Sequence, residues 1–123
     1  MNTKEDNNLP ELRPFNFDNM YKYLGDDKAK IKEILLKVLD ELRVAIKKFD
    51  DYFLNKSLAE MQLTAHQLVN TTASVGLERL CTTVKKIEQQ KNFDPSALKQ
   101  LLLKLKHETR LVKSLINSYL VNH

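Results

Sequence analysis

The 123-residue sequence is poor in the residues that form tight turns, disulfides and membrane spans. It has only 2 glycines and 3 prolines, so long regular helices are expected. Cys81 is the only cysteine, which excludes an internal disulfide and a zinc site built from several cysteines. No apolar run approaches the roughly 18 to 20 residues that a transmembrane helix needs, so no membrane association is expected.

The N-terminal sequence MNTKEDNNLPELRP has no apolar stretch behind a positive start, so no secretory signal is predicted and a cytoplasmic protein is expected. The formal net charge of +4 permits an acidic protein partner or a nucleic acid. The lysines are scattered along every segment rather than gathered into a basic run, which favours a solvated surface. A helical nucleic-acid binder would depend on the net charge alone.

The chain is long enough for one domain, which we place at residues 15–123. Residues 1–14 are polar, contain two of the three prolines and predict a flexible lead-in. The segment FNFDNMYKYL, from Phe15 to Leu24, predicts a short helix that Asp18 starts and Gly25 ends.

Four longer amphipathic helices follow, each marked by apolar residues three or four positions apart. The apolar stripes are Ile31, Ile34, Leu35, Val38, Leu42, Ile46, Phe49 and Phe53; then Leu58, Met61, Ala65, Leu68, Thr72 and Val75; then Leu77, Leu80, Val84 and Ile87; and finally Leu98, Leu101, Leu102, Leu105, Val112, Leu115, Ile116 and Tyr119. Because each stripe must be buried, the sequence predicts an all-α antiparallel four-helix bundle with a short additional N-terminal helix.

Residues that start and stop helices separate these stripes. Asp26 and Asp27 suit the N-terminus of the second helix, and Ser57 with Glu60 forms a capping-box sequence at the start of the third. Gly76 predicts a bend or the end of the third helix. Asp94 followed by Pro95 predicts the N-cap and first turn of the last.

His66 is the residue most suited to chemistry. At about 100° per residue, it lies well over a quarter turn from the apolar stripe of its helix, so its imidazole is expected to face solvent. The surface of the helix around His66 carries small and apolar residues, whereas an exposed helix surface usually carries lysine and glutamate. The residues of this patch are Ala59, Leu63, Asn70 and Ala73.

Other kinds of site have little support. His107 is flanked by charged residues and His123 is terminal, so both are expected to be solvated. A di-iron bundle needs Glu-x-x-His pairs, but Leu63 and Lys104 stand three residues before the two internal histidines. No phosphate-binding glycine loop, zinc-protease motif or nucleophile elbow occurs. We therefore expect neither a metal site nor an enzyme active site.

The sequence AHQL at residues 65–68, followed by ASVGLERL at 73–80, resembles the phosphoacceptor signature of histidine-containing phosphotransfer (HPt) domains. In that family a short helix precedes a long one, the third helix carries the histidine, and a glycine ten residues later leads into the next helix, as Gly76 does here. The resemblance covers about residues 15 to 121. It implies that His66 is a phosphoacceptor, receiving a phosphoryl group from a receiver-domain aspartate and passing it to another receiver.

The same resemblance implies a protein without kinase activity or a cofactor of its own, because most of the positioning and charge neutralisation comes from the receiver, with its Mg²⁺ and its own lysine. The partner is then the receiver domain of a response regulator or a hybrid histidine kinase, and a monomer without nucleic acid is expected. The predicted docking residues are Ala59, Leu63, Gln67, Val69, Asn70 and Ala73.

Two positions depart from the family pattern. Three and four residues after the histidine, HPt domains usually have lysine and glycine, whereas this chain has Val69 and Asn70. If the third and fourth helices fold back around Gly76, residues about ten further on come level with His66. Lys85, Lys86 and Gln89 are therefore predicted to support the phosphoryl group in place of the missing lysine. The alternative is an HPt-like module that has lost phosphotransfer and binds a receiver or kinase as a scaffold or inhibitor.

Overall fold

A computed structural model describes residues 11–122, and this part of the chain is all-helical. Its five helices are α1 (Phe17–Leu24), α2 (Lys28–Leu54), α3 (Leu58–Ser74), α4 (Glu78–Glu88) and α5 (Pro95–Asn122). The predicted number and order of helices are confirmed. None of these helices, over the residues described, is long and apolar enough to cross a membrane.

The predicted apolar stripes form one hydrophobic core. Helix α3 contacts α2 on one side and α4 on the other, and α5 contacts both α2 and α4. Every stripe residue is buried or packs against this core, and the largest fully buried side chains include Phe49, Met61 and Ile87. The core also contains Cys81, as a thiol without a disulfide partner.

One core position is polar. Glu108 fills the gap that the last stripe leaves between Leu105 and Val112, and it is only 1% exposed. The Arg79 guanidinium donates to Glu108 Oε2 at 2.5 Å, which provides the charge partner that a buried carboxylate requires. The pair joins the start of α4 to the middle of α5.

Most helix ends follow the sequence signals, but two differ. Asp27 and Asp94 accept from the backbone N–H three residues on, as N-cap residues do. Ser57 precedes α3 as predicted, yet its side chain makes no capping hydrogen bond. Helix α1 begins at Phe17 and is capped by Asn16, so the prediction that Asp18 starts it was wrong.

Gly76 connects the end of α3 to the N-terminal segment. Its φ of +78° lies in the left-handed region, and a Cβ there would come within 2.3 Å of the Asn16 carbonyl oxygen. The Asn16 N–H donates to the Gly76 carbonyl at 2.7 Å. Glycine is therefore required both for the turn and for the close approach of α1.

Glu78 completes this junction. Its carboxylate accepts from the Arg13 N–H at 2.9 Å and from the Asn16 side-chain amide at 2.7 Å, and the Arg79 N–H donates to the Arg13 carbonyl. Within the predicted lead-in, residue 13 is thus tied to the start of α4. Residues 1–10 of that lead-in lie outside the described residues.

Candidate functional site

His66 lies on the outer face of α3, as its position on the helix predicts. Its side chain is 64% exposed, while the neighbouring Ala65, which faces the core, is fully buried. The imidazole is therefore accessible to a large partner, and the rigid helix fixes its backbone. This combination suits a group that must meet the active site of another protein.

The residue that sequence reasoning missed is Glu88, the last residue of α4. Its Oε2 lies 2.5 Å from His66 Nδ1, and its side chain is 31% exposed. Because an ionised carboxylate only accepts hydrogen bonds, the pair places a proton on Nδ1. No other hydrogen bond to the ring is formed within residues 11–122. Nε2 is then the nitrogen whose lone pair is available for chemistry.

The predicted docking residues do not all lie on the same surface. Ala59, Leu63, Gln67, Asn70 and Ala73 are exposed, and the Leu63 side chain, one turn before His66, is 61% exposed. Val69, by contrast, is half-buried and packs against the core. Gln67 lies towards α2, where it lines a groove with Asp40 and Lys48.

The three residues predicted to support a phosphoryl group lie on different sides of α4. Lys85 lies on the side of α4 that faces α3. Cys81 is four residues before it and Glu88 three residues after it, so all three share one face of α4, and both Cys81 and Glu88 contact α3. It lines a groove with Ala73. Lys86 and Gln89 line a different groove, between α4 and α5. Only Lys85 of the three lies on the side of α4 that faces His66's helix.

No group of three or more histidine, cysteine or acidic residues between positions 11 and 122 could hold a metal ion. His107 is exposed on α5, as expected.

No family model matches this sequence, and no significant similarity was found to a curated protein or to a solved structure. The interpretation of His66 therefore depends on the local sequence signature and on the geometry around the imidazole.

Proposed function

We propose that this protein is a phosphohistidine carrier in a two-component phosphorelay, in which His66 receives a phosphoryl group from a receiver-domain aspartate and passes it to another receiver. The observation that carries the proposal is the exposed His66 ring held through Nδ1 by Glu88. An imidazole held through Nδ1 presents Nε2 to a partner in a fixed orientation, which suits a phosphoacceptor. The protein is a carrier rather than a kinase, and Mg²⁺ is contributed by the receiver.

The proposed architecture is the antiparallel four-helix bundle, made of α2 to α5, with α1 as the additional short helix. The contacts of α3 with α2 and α4, and of α5 with the same two helices, support it. In this arrangement the face of α3 that carries His66 points away from the core. A receiver can then approach the histidine without any rearrangement of the helices.

The chemistry follows from the state of the ring. Nε2 attacks the phosphorus, the new N–P bond forms as the aspartate O–P bond breaks, and the aspartate leaves as a carboxylate. Since Nδ1 keeps its proton during the attack, the ring becomes positively charged. The Glu88 carboxylate at 2.5 Å stabilises that charge and holds the ring orientation. The reverse sequence returns the phosphoryl group to the next receiver.

Lys85 is the proposed replacement for the lysine that HPt domains usually have at the position of Val69. Cys81 Sγ lies 3.9 Å from the Val69 carbonyl oxygen, and Glu88 contacts His66, so Lys85 lies between two points at which α4 meets this part of α3. Its flexible ammonium group can reach towards a phosphoryl group on Nε2. At an exposed site such a contact contributes up to about 1 kcal/mol.

The proposed docking surface surrounds the histidine along α3. Ala59, Leu63, Asn70 and Ala73 give it small and apolar side chains, and Leu63 is the largest exposed apolar group among them. Such a patch suits the apolar centre of a transient interface, with the scattered lysines aiding encounter with an acidic receiver. The carrier is expected to be a monomer.

The direct test is phosphotransfer from a panel of phosphorylated receiver domains. We expect acid-labile, base-stable label on the protein, lost in His66→Gln and retained in the matched control His107→Gln. Glu88→Ala is expected to slow labelling about two- to tenfold, because an exposed charged hydrogen bond is removed. Lys85→Ala is expected to shorten the lifetime of the phosphorylated state, whereas Lys86→Ala and Gln89→Ala are not.

The alternative function predicts a different result in the same assay. A scaffold or inhibitor that has lost phosphotransfer would bind a receiver, measurably by titration calorimetry, without acquiring label from it. Binding weakened by Leu63→Asp but with no label from any receiver would reject the carrier function and favour the scaffold.

A further inference from the structure

Gln62 lies one turn before His66 on α3 and reaches across to the end of α4. Its Nε2 donates to the Glu88 carbonyl at 3.3 Å and to the Gln90 carbonyl at 2.5 Å. The contact therefore joins α3 to the residue whose side chain holds His66. Glu88 is used twice: its backbone binds Gln62, and its carboxylate binds the imidazole.

The position of Glu88 makes this contact important. Helix α4 has 11 residues and Glu88 is its last, so the carboxylate is carried by the terminal turn. The last carbonyl groups of a helix have no partner within the helix, and helix ends tend to fray. An unwound last turn would move Glu88 away from the ring. Any group that binds the terminal carbonyls also fixes the carboxylate.

Other terminal carbonyls of α4 are satisfied from within the same segment. The Gln89 N–H donates to the Lys85 carbonyl, the Gln90 N–H to that of Ile87, and the Gln90 side chain to that of Lys86. For the Glu88 carbonyl, Gln62 is the partner that comes from another helix. It ties the end of α4 to the helix that carries the phosphoacceptor.

We propose that Gln62 is a positioning residue for His66, which acts by holding the last turn of α4 so that the Glu88 carboxylate stays on Nδ1. The inference rests on the proposed function for its biological meaning, but its structural content concerns the unphosphorylated ring. Gln62 itself forms no hydrogen bond to the imidazole within residues 11–122. Its removal is expected to release the carboxylate and to let the proton redistribute between Nδ1 and Nε2.

The test is the tautomer of His66, read from the imidazole ¹⁵N chemical shifts of the labelled full-length protein. In Gln62→Met, which keeps the size of the side chain but removes both hydrogen bonds, we expect the shifts to move towards those of Glu88→Ala. Gln62→Glu, which replaces the donor with an acceptor facing the carbonyls, is expected to move them the same way. His107 is the internal reference and should not change.

Gln89→Met is the matched control. It removes an amide side chain from the same end of α4, but that side chain forms no hydrogen bond within residues 11–122 and the backbone carbonyls that Gln62 binds remain, so the His66 shifts are expected to stay at the wild-type values. Phosphorylation of Gln62→Met by the small donor phosphoramidate should slow about two- to fivefold, and that of Gln89→Met should not.

The outcomes separate this inference from the proposed function. If Glu88→Ala changes the tautomer of His66 and folded Gln62→Met does not, the positioning role is wrong, whether or not receiver domains transfer a phosphoryl group to His66. A loss of stability in Gln62→Met with unchanged ring shifts would also overturn it, because the contact would then be structural only. If the tautomer moves as expected but no receiver labels His66, the positioning role stands and the carrier function fails.

Discussion

Replacement of Gly76 by alanine is expected to destabilise the junction between the N-terminal segment and the rest of the protein. Two effects combine at this position. Any residue other than glycine pays about 1 to 2 kcal/mol in the left-handed backbone region, which Gly76 occupies at φ +78°. The new Cβ would also lie 2.3 Å from the Asn16 carbonyl oxygen, a contact with backbone that no side-chain rotation can relieve.

The second effect can be estimated from the hydrogen bonds that must shift. Displacing Asn16 strains the 2.7 Å bond from its N–H to Gly76 and the 2.7 Å bond from its side chain to Glu78. Each such bond contributes about 0.5 to 1.5 kcal/mol, so Gly76→Ala is expected to cost about 2 to 5 kcal/mol in total. Since folded domains are stable by about 5 to 15 kcal/mol, this loss is large.

Gly25 supplies a control for the steric contact. A Cβ there meets nothing within 4 Å, but its φ of +76° and ψ of −160° lie in a region that is essentially restricted to glycine, so Gly25→Ala is expected to cost about 1 to 3 kcal/mol from backbone strain alone. The assay is urea unfolding followed by circular dichroism, with the free energy of unfolding compared at equal slope. Equal losses for the two variants would refute the close approach as the reason for glycine at position 76.

Two further predictions concern helix capping and pH. Asp94→Ala is expected to lower the free energy of urea unfolding by about 1 kcal/mol, because Asp94 accepts a hydrogen bond from the Ala97 N–H. Ser57→Ala removes no capping hydrogen bond and should change that free energy by less than about 0.5 kcal/mol; a larger loss for Ser57→Ala than for Asp94→Ala would contradict this ranking. Burial first, and then the 2.7 Å hydrogen bond with Tyr21, raises the pKa of Tyr119 from 10.0 to about 12. The contribution of the neutral Tyr119 hydroxyl to stability is therefore complete below pH 10 and is lost as the pH rises towards 12. Because burial remains, Tyr21→Phe should lower the pKa of Tyr119 only part of the way back towards 10.0, as measured by phenolate absorbance. An unchanged titration would show that the hydrogen bond between the two hydroxyl groups has no effect on this pKa.

The sequence alone was sufficient for the helices and for the accessible histidine. Helix signals are local, because they involve residues within one or two turns of each other. The spacing of apolar residues, the N-caps at Asp27 and Asp94 and the glycine at position 76 therefore predict where the helices run and which face of α3 is buried. The same periodicity predicts that His66 faces solvent, which the structure confirms. It was harder to predict which of several polar side chains would form the capping hydrogen bond at a helix N-terminus. Asn16 rather than Asp18 caps α1, and the Ser57 side chain makes no capping hydrogen bond to α3.

Only the tertiary structure decided which groups meet across helices. Glu88 is 22 residues from His66 along the chain, and nothing in the periodicity of α4 distinguished it from Lys85, Lys86 or Gln89 as the group that reaches the imidazole. The burial of Glu108 against Arg79 likewise depends on how α4 and α5 align. The axial offset and rotation of two packed helices are determined by the fit of all their side chains together, so the partner of His66 could be found only once α3 and α4 were seen in contact.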